Sequence, residues 1–253
     1  MRVIPLADSE VSRLGEYSAS CVLDYYYLVD GCAYVTVIDG LSEDQSIGLH
    51  FNMTDSVAWY PPCDTAACLT LDAVELVLYD VLAAPSNQSM NVSVYEADAS
   101  GEPVGQMLGN RSFNPIPTGT IPFTTSVIDF TNGGQQLGLD LSGCGGEFVV
   151  ILTWKNTTSH PGLVLDNVST CVDSCAVDAA CCQMGTPPYV YPRLSTHTYD
   201  LGFEGAWGKQ DSFADPGGAG AYGYLEALWT CRFCDISSAA QPTSWGAIKA
   251  LYR

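Results

Sequence analysis

At 253 residues the chain is long enough for one large β domain or two ordinary domains, with room for a real hydrophobic core. Its 47% hydrophobic content argues against disorder, and only 15% of its residues are charged, well under the share in an average globular chain. The net charge is −19, and three lysines and six arginines cannot neutralise a run of phosphates, so nucleic-acid binding and polybasic membrane attachment are excluded.

Residues 1–20 read as an extended polar arm. They hold no apolar core of a signal peptide, so a mature or trimmed form is expected, and no stretch of 18 apolar residues occurs anywhere to span a membrane. Residues 21–39 are rich in Tyr and Val and carry an Asp30-Gly31 turn signal, which predicts a hairpin stapled by Cys21 and Cys32 if those two pair. Residues 45–52 predict a short strand, and the loop 61–68 is one that a local Cys63–Cys68 disulfide could close. Strands are then expected over 74–81, 91–96, 126–131, 147–154 and 162–168, with Gly, Asn and Pro clusters between them. The run Glu147–Trp154 is apolar on both faces, as a central strand should be. Beyond 170 the texture changes to dense cysteine, then proline, then a glycine-rich loop at 213–223.

The expected fold is all-β: an antiparallel, jelly-roll-like β-sandwich with a disulfide-rich, irregular C-terminal elaboration. Its expected divisions are an arm and hairpin (1–44), the sandwich core (45–170), and a Cys-rich and Gly-rich part packing on it (171–253).

Two features point to an oxidising, secretory route. The eleven cysteines are Cys21, Cys32, Cys63, Cys68, Cys144, Cys171, Cys175, Cys181, Cys182, Cys231 and Cys234. They contain a single C-x2-C pair, Cys231 and Cys234, too few for a structural zinc site, so disulfides are the simpler reading. The adjacent Cys181 and Cys182 would take different partners, and the odd total leaves one thiol for an intermolecular bridge. Of eight asparagines, six begin N-x-S/T sequons: Asn52, Asn87, Asn91, Asn110, Asn156 and Asn167. With 40 Ser and Thr in the chain, chance would supply about one. N-linked glycans are therefore expected, and strand alternation would turn Asn91 to solvent while Val92 and Val94 face inward.

Motifs for chemistry are weak. Residues 218–223 match G-x-G-x-x-G, but a turn at Asp215-Pro216 precedes them where a nucleotide site needs a strand. No G-x-S-x-G, H-E-x-x-H or Walker A sequence occurs, and His50, His160 and His197 lie far apart in sequence. No catalytic residue is assigned and the chain is not expected to be an enzyme. Asp39, Glu43, Asp44 and Asp140 sit in or near acidic turns, which makes Ca2+ a candidate ligand without an EF-hand spacing to support it. Among the aromatic residues, Trp59, Trp207 and Trp229 are the candidates for an exposed binding platform.

The segments LDAVELVLYDV, NVSVYEADASGEPVGQML, SVIDFTNGGQQLGL and EFVVILTW, spanning Leu71–Trp154, resemble the jelly-roll modules of large secreted proteins. The resemblance covers about a third of the chain and implies a lectin-like or adhesive sandwich rather than an activity. The expectation carried forward is an extracellular structural glycoprotein, a subunit of a filament, hair or surface coat. Its partners would be copies of itself or other extracellular proteins, with the arm a candidate for adding a strand to a neighbour. A carbohydrate-binding or adhesion module is the alternative, and a secreted hydrolase a third reading.

Overall fold

The computed structural model describes residues 2–5, 21–24, 34–38, 43, 45–54, 59–60, 69–79, 89–98, 101–115, 123–135, 137–155, 161–165, 196–199, 207–209 and 229–233. Among them every regular element is a strand: β1 (Arg2–Pro5), β2 (Cys21–Asp24), β3 (Tyr34–Ile38), β4 (Ser46–Asn52), β5 (Trp59–Tyr60), β6 (Thr70–Tyr79), β7 (Met90–Ala97), β8 (Pro103–Phe113), β9 (Phe123–Asp129), β10 (Leu139–Asp140), β11 (Glu147–Trp154), β12 (Gly162–Leu165), β13 (Thr196–Tyr199), β14 (Trp207–Lys209) and β15 (Trp229–Phe233). No helix among the described residues is long and apolar enough to cross a membrane.

The strands form two sheets, and every pairing between described strands is antiparallel. One sheet of six runs β14-β13-β4-β11-β7-β8; the other, of nine, runs β1-β3-β12-β6-β15-β2-β5, with β9 and β10 also on β6. Strand β6 is the hub of the larger sheet. One of its edges carries β15 and then β12, and the other carries β10 and then β9.

Alternation explains the layers. Phe148, Val150, Leu152 and Trp154 of β11, Met90, Val92 and Val94 of β7, and Ile47, Leu49 and Phe51 of β4 all enter the core. Val74, Leu76 and Leu78 of β6 and Trp229, Cys231 and Phe233 of β15 enter the same core from the larger sheet. Where β15 meets β6 the register steps from Arg232↔Ala73 to Phe233↔Leu71, so Asp72 is an extra residue on β6. That bulge puts Leu71 and Val74 on the same side although their spacing is odd, and both are fully buried. On the other face of this pair, Arg232 Nε sits 2.9 Å from Glu75 Oε1.

Several expectations change. The predicted hairpin over 21–39 does not form: β2 pairs with β15 and β5, while β3 pairs with β1 and β12. Short strands with open edges on both sides find better partners in distant segments than in each other. The start of the arm, β1, docks on β3 of its own chain. Residues 103–113, for which no strand was expected, form the second strand of a β7–β8 hairpin, whose turn is closed by Gly101 N–H donating to Asp98 O at 2.9 Å. Gly101 has φ +81°, a conformation that favours glycine.

Trp229 is fully buried in the core, so it is no exposed platform. Its Nε1 has no hydrogen-bond partner, unlike Trp154, whose Nε1 donates to Pro161 O at 2.8 Å. Trp229→Ala should therefore cost about 3–5 kcal/mol, and Trp229→Phe clearly less because the orphaned donor disappears with the indole. Urea midpoints of the unreduced protein check this, and equal losses in the two variants would contradict it.

Candidate functional site

The outer face of the six-stranded sheet collects the polar side chains that strands β4, β11 and β7 leave out of the core. Ser46, His50 and Asn52 alternate with core residues along β4, as do Glu147, Ile151 and Thr153 along β11 and Asn91, Ser93 and Tyr95 along β7. Register then sets the contacts. Ser46 pairs with Thr153, and their hydroxyls are 2.7 Å apart. His50 Nε2 lies 3.2 Å from Glu147 Oε2, while Asn52 Nδ2 donates to Glu147 Oε1 at 3.3 Å. Gly101 lies against the His50 ring; a Cβ there would come within 2.9 Å of Nδ1.

Beside these pairs is a hollow of about 370 Å³ lined by Ser46, Ser93, Tyr95, Pro103, Val104, Gly105, Ile151 and Thr153. It presents hydroxyls beside one aromatic ring and aliphatic surface, and none of its lining residues is charged. Strand β13 extends the sheet past β4, with His197 opposite Gly48 and Tyr199 opposite Ser46; Trp207 of β14 lies opposite Tyr199. So His197 and His50, distant in sequence, belong to neighbouring strands. Trp59 pairs through its backbone with Leu23 of β2, far from this face in strand order.

The sequons of β7 and β8 interlock. Ser93 pairs with Asn110 and Asn91 pairs with Ser112, so each asparagine faces the serine of the other sequon. Asn91 Nδ2 and Asn110 Nδ2 donate to Ser93 Oγ at 3.0 and 2.9 Å, and Ser112 Oγ donates to Asn91 Oδ1 at 3.2 Å. Asn91 was expected to project to solvent and is only 8% exposed. The N-x-S spacing of a sequon is also the two-residue period of a strand, so here it builds a cross-strand polar ladder. Asn52 is different: it ends β4, and its Oδ1 accepts from Thr54 N–H at 2.8 Å and Thr54 Oγ1 at 2.6 Å, an Asx turn in which Thr54 is exposed. Asn87, Asn156 and Asn167 lie outside the described residues.

The acidic turns use their own carboxylates. Asp129 Oδ1 accepts from Thr131 N–H and Oγ1 at 2.7 and 2.6 Å, and Asp140 Oδ1 accepts from Ser142 N–H at 2.9 Å. The Thr131 hydroxyl and the Gly133 amide hold Asp129 below its ordinary value, and the Ser142 hydroxyl and amide do the same for Asp140. Glu43 is exposed, whereas Asp39, Asp44 and His160 lie outside the described residues. No group of three or more His, Cys, Asp or Glu that could hold a metal occurs among the described residues.

Of the cysteines, Cys21 is disulfide-bonded and Cys231 is fully buried in the core. Cys144 corrects the expectation of a disulfide: it is a free, buried thiol in the turn before β11. Burial first, then the charges of Glu96 and Asp140, push it up to about 11. Cys32, Cys63, Cys68, Cys171, Cys175, Cys181, Cys182, Cys234 and the glycine-rich 218–223 motif lie outside the described residues.

The chain matches no family model, no curated protein and no solved structure.

Two outcomes follow from these geometries. In folded protein from a secretory host, glycopeptide mapping should find Asn52 occupied and Asn91 empty, since a sugar on Asn91 Nδ2 would have to fit where that buried amide meets Ser93 Oγ. A glycan on Asn91 in natively folded material would refute this. Cys144 should resist iodoacetamide in the native protein at neutral pH and react after unfolding without reductant. The unfolded thiol loses its proton nearer the ordinary value, so the Cys144 contribution to stability is intact below that pH and fades as pH climbs toward about 11. Peptide mapping that shows prompt native labelling at neutral pH would contradict the buried thiol.

Proposed function

We propose that this chain is an extracellular structural glycoprotein, a subunit of a filament, hair or surface-coat assembly, built as a jelly-roll-like antiparallel β-sandwich. The observation that carries the reading is where apolar surface is left uncovered. The exposed large hydrophobic residues among those described are Val104 and Met107 of β8, Val127 of β9, and Leu137 just before β10. These strands meet along one flank: Gly109 of β8 abuts the Leu139 side chain of β10, and the Arg111 guanidinium lies 5.4 Å from the centroid of the Phe130 ring that follows β9. Large apolar side chains left exposed on the described strands β8 and β9 mark surface that another protein can cover. Six sequons and eleven cysteines support the secretory setting, with glycans and disulfides protecting a long-lived polymer.

A carbohydrate-binding role is the second reading, favoured by the uncharged, hydroxyl-lined hollow beside Tyr95. In that case Tyr95→Ala abolishes binding to a glycan panel, and Trp59 and Trp207 are the next side chains to change.

Electron microscopy of unreduced protein from a secretory host tests the assembly reading. Regular filaments or sheets are the expected result. Dispersed single particles at all salt and protein concentrations overturn it, and glycan titration then decides the second reading.

A further inference from the structure

Among the described residues, strand β9 ends the larger sheet beyond β6, and its backbone shows which groups face outward. Phe130 N–H donates to Asp72 O of β6 at 2.8 Å. In an antiparallel ladder successive residues direct their N–H and C=O groups to opposite edges, so Ser126 and Ile128 face β6 while Thr125, Val127 and Asp129 face away. The register with β6 is unbroken from Phe123 to Asp129, so this alternation holds along the strand. Among the described residues, no hydrogen bond reaches the outward backbone groups of Thr125 and Val127. The same residues carry the exposed side chains, Val127 being 51% exposed.

The other ends of the sheets are blunted in ways that β9 is not. Strand β8 has register shifts at Val94/Tyr95 and Tyr95/Glu96, Gly105 at φ +68°, and Leu139 pressed on Gly109. Strands β1, β5 and β14 are four, two and three residues long. Bulges and short length are devices that prevent edge-to-edge pairing. Strand β9, by contrast, is seven residues of FTTSVID, regular and without proline, glycine or lysine, and its one charge comes at the end.

We propose that β9 pairs antiparallel with β9 of a second copy of this chain, joining two nine-stranded sheets across a two-fold axis at Ser126. This rests on the assembly reading above and names its first contact. Antiparallel pairing about Ser126 sets Thr125 opposite Val127 of the second copy, so that outward-facing residues exchange N–H···O bonds with outward-facing residues. It also sets Asp129 opposite Phe123 of the second copy, keeping the two carboxylates at opposite ends of the ladder. The Thr125 and Val127 side chains then pack across the joint, covering the most exposed apolar group on the strand. Each copy carries −19, so the contact forms against mutual repulsion and strengthens with salt as the screening length falls from about 8 Å at physiological ionic strength to about 3 Å at 1 M.

Sedimentation velocity of the whole protein across salt and protein concentration tests this with two variants. Val127→Pro removes an outward N–H that no bond among the described residues uses, and Val127→Lys leaves the backbone intact while placing a charge on the edge. The wild type should associate, more at high salt, and both variants should associate at least about tenfold more weakly. If Val127→Pro fails to fold, Val127→Lys decides alone. Wild type and folded variants that associate equally overturn the β9 contact and leave the assembly reading standing. A wild type that stays monomeric at every salt and protein concentration overturns both.

Discussion

Three phenylalanine rings tie the two sheets together. Phe51 of β4 and Phe148 of β11 stack at 5.3 Å with their planes 12° apart, and Phe148 meets Phe233 of β15 edge-on at 6.1 Å. Phe51 and Phe148 belong to the six-stranded sheet and Phe233 to the nine-stranded one, so a single ring, Phe148, belongs to both contacts. Offset and edge-on ring pairs add to the burial of their area, and all three rings are fully buried. The bulge at Asp72 serves the same junction: the register step on β6 falls where Phe233 meets Leu71, beside the aromatic cluster. The outer face of the smaller sheet inherits its geometry from this packing, because once Phe51 and Phe148 point inward, Asn52 and Glu147 must point outward, opposite each other.

How far the sequence reveals this depends on how much of each segment's environment is local. The strand over Glu147–Trp154 was legible because both its faces are apolar, and it lies in the middle of its sheet between β4 and β7. The strands expected over 45–52 and 91–96 were legible too, the second from the alternation of its apolar and polar residues. Strand β8 was not, because PVGQMLGNRSF is an edge strand with a largely exposed first half and two glycines, and nothing in it alternates. Strand β15 was hidden by its setting. Its five residues include Cys231 of the C-x2-C pair, and its partners β2 and β6 lie far away in the chain. The same distance defeated the hairpin over 21–39, where a good local turn signal lost to non-local pairing.

Of the candidate site, the sequence singled out only His50 and the sequon asparagines, and not their arrangement. Nothing in the chain's order brings Glu147 to His50 and Asn52 or Thr153 to Ser46; the β4–β11 register does. The sequons show the limit most clearly. Alternation correctly separates Val92 and Val94 from Asn91 and Ser93, yet the outward residues are buried as well. A strand's second face is open only if no neighbour supplies matching side chains, and β8 supplies Asn110 and Ser112 at the positions that match. Polar composition on an outward row therefore reads as solvent or as a hydrogen-bonded ladder depending on a partner that the local sequence does not name.

The two flanking strands β8 and β9 resolve the conflict between closing a sheet and leaving it open in opposite ways. Strand β8 must bend toward β10 to bring Gly109 onto Leu139 and Arg111 toward Phe130, and its bulges let it do so at the expense of a regular edge. Strand β9 has no such freedom. Ile128 enters the core from β9 and Phe130 from just beyond it, while β6, already bulged toward β15, keeps an unbroken register with β9 from Ala73 to Tyr79. Even Ser126, whose buried hydroxyl finds no partner, is held inward by this register, a sign that the strand's straightness is set by packing and not by its own polar preferences. A regular, amide-bearing edge is thus the consequence of how the core is filled, and it carries Val127, an exposed apolar side chain.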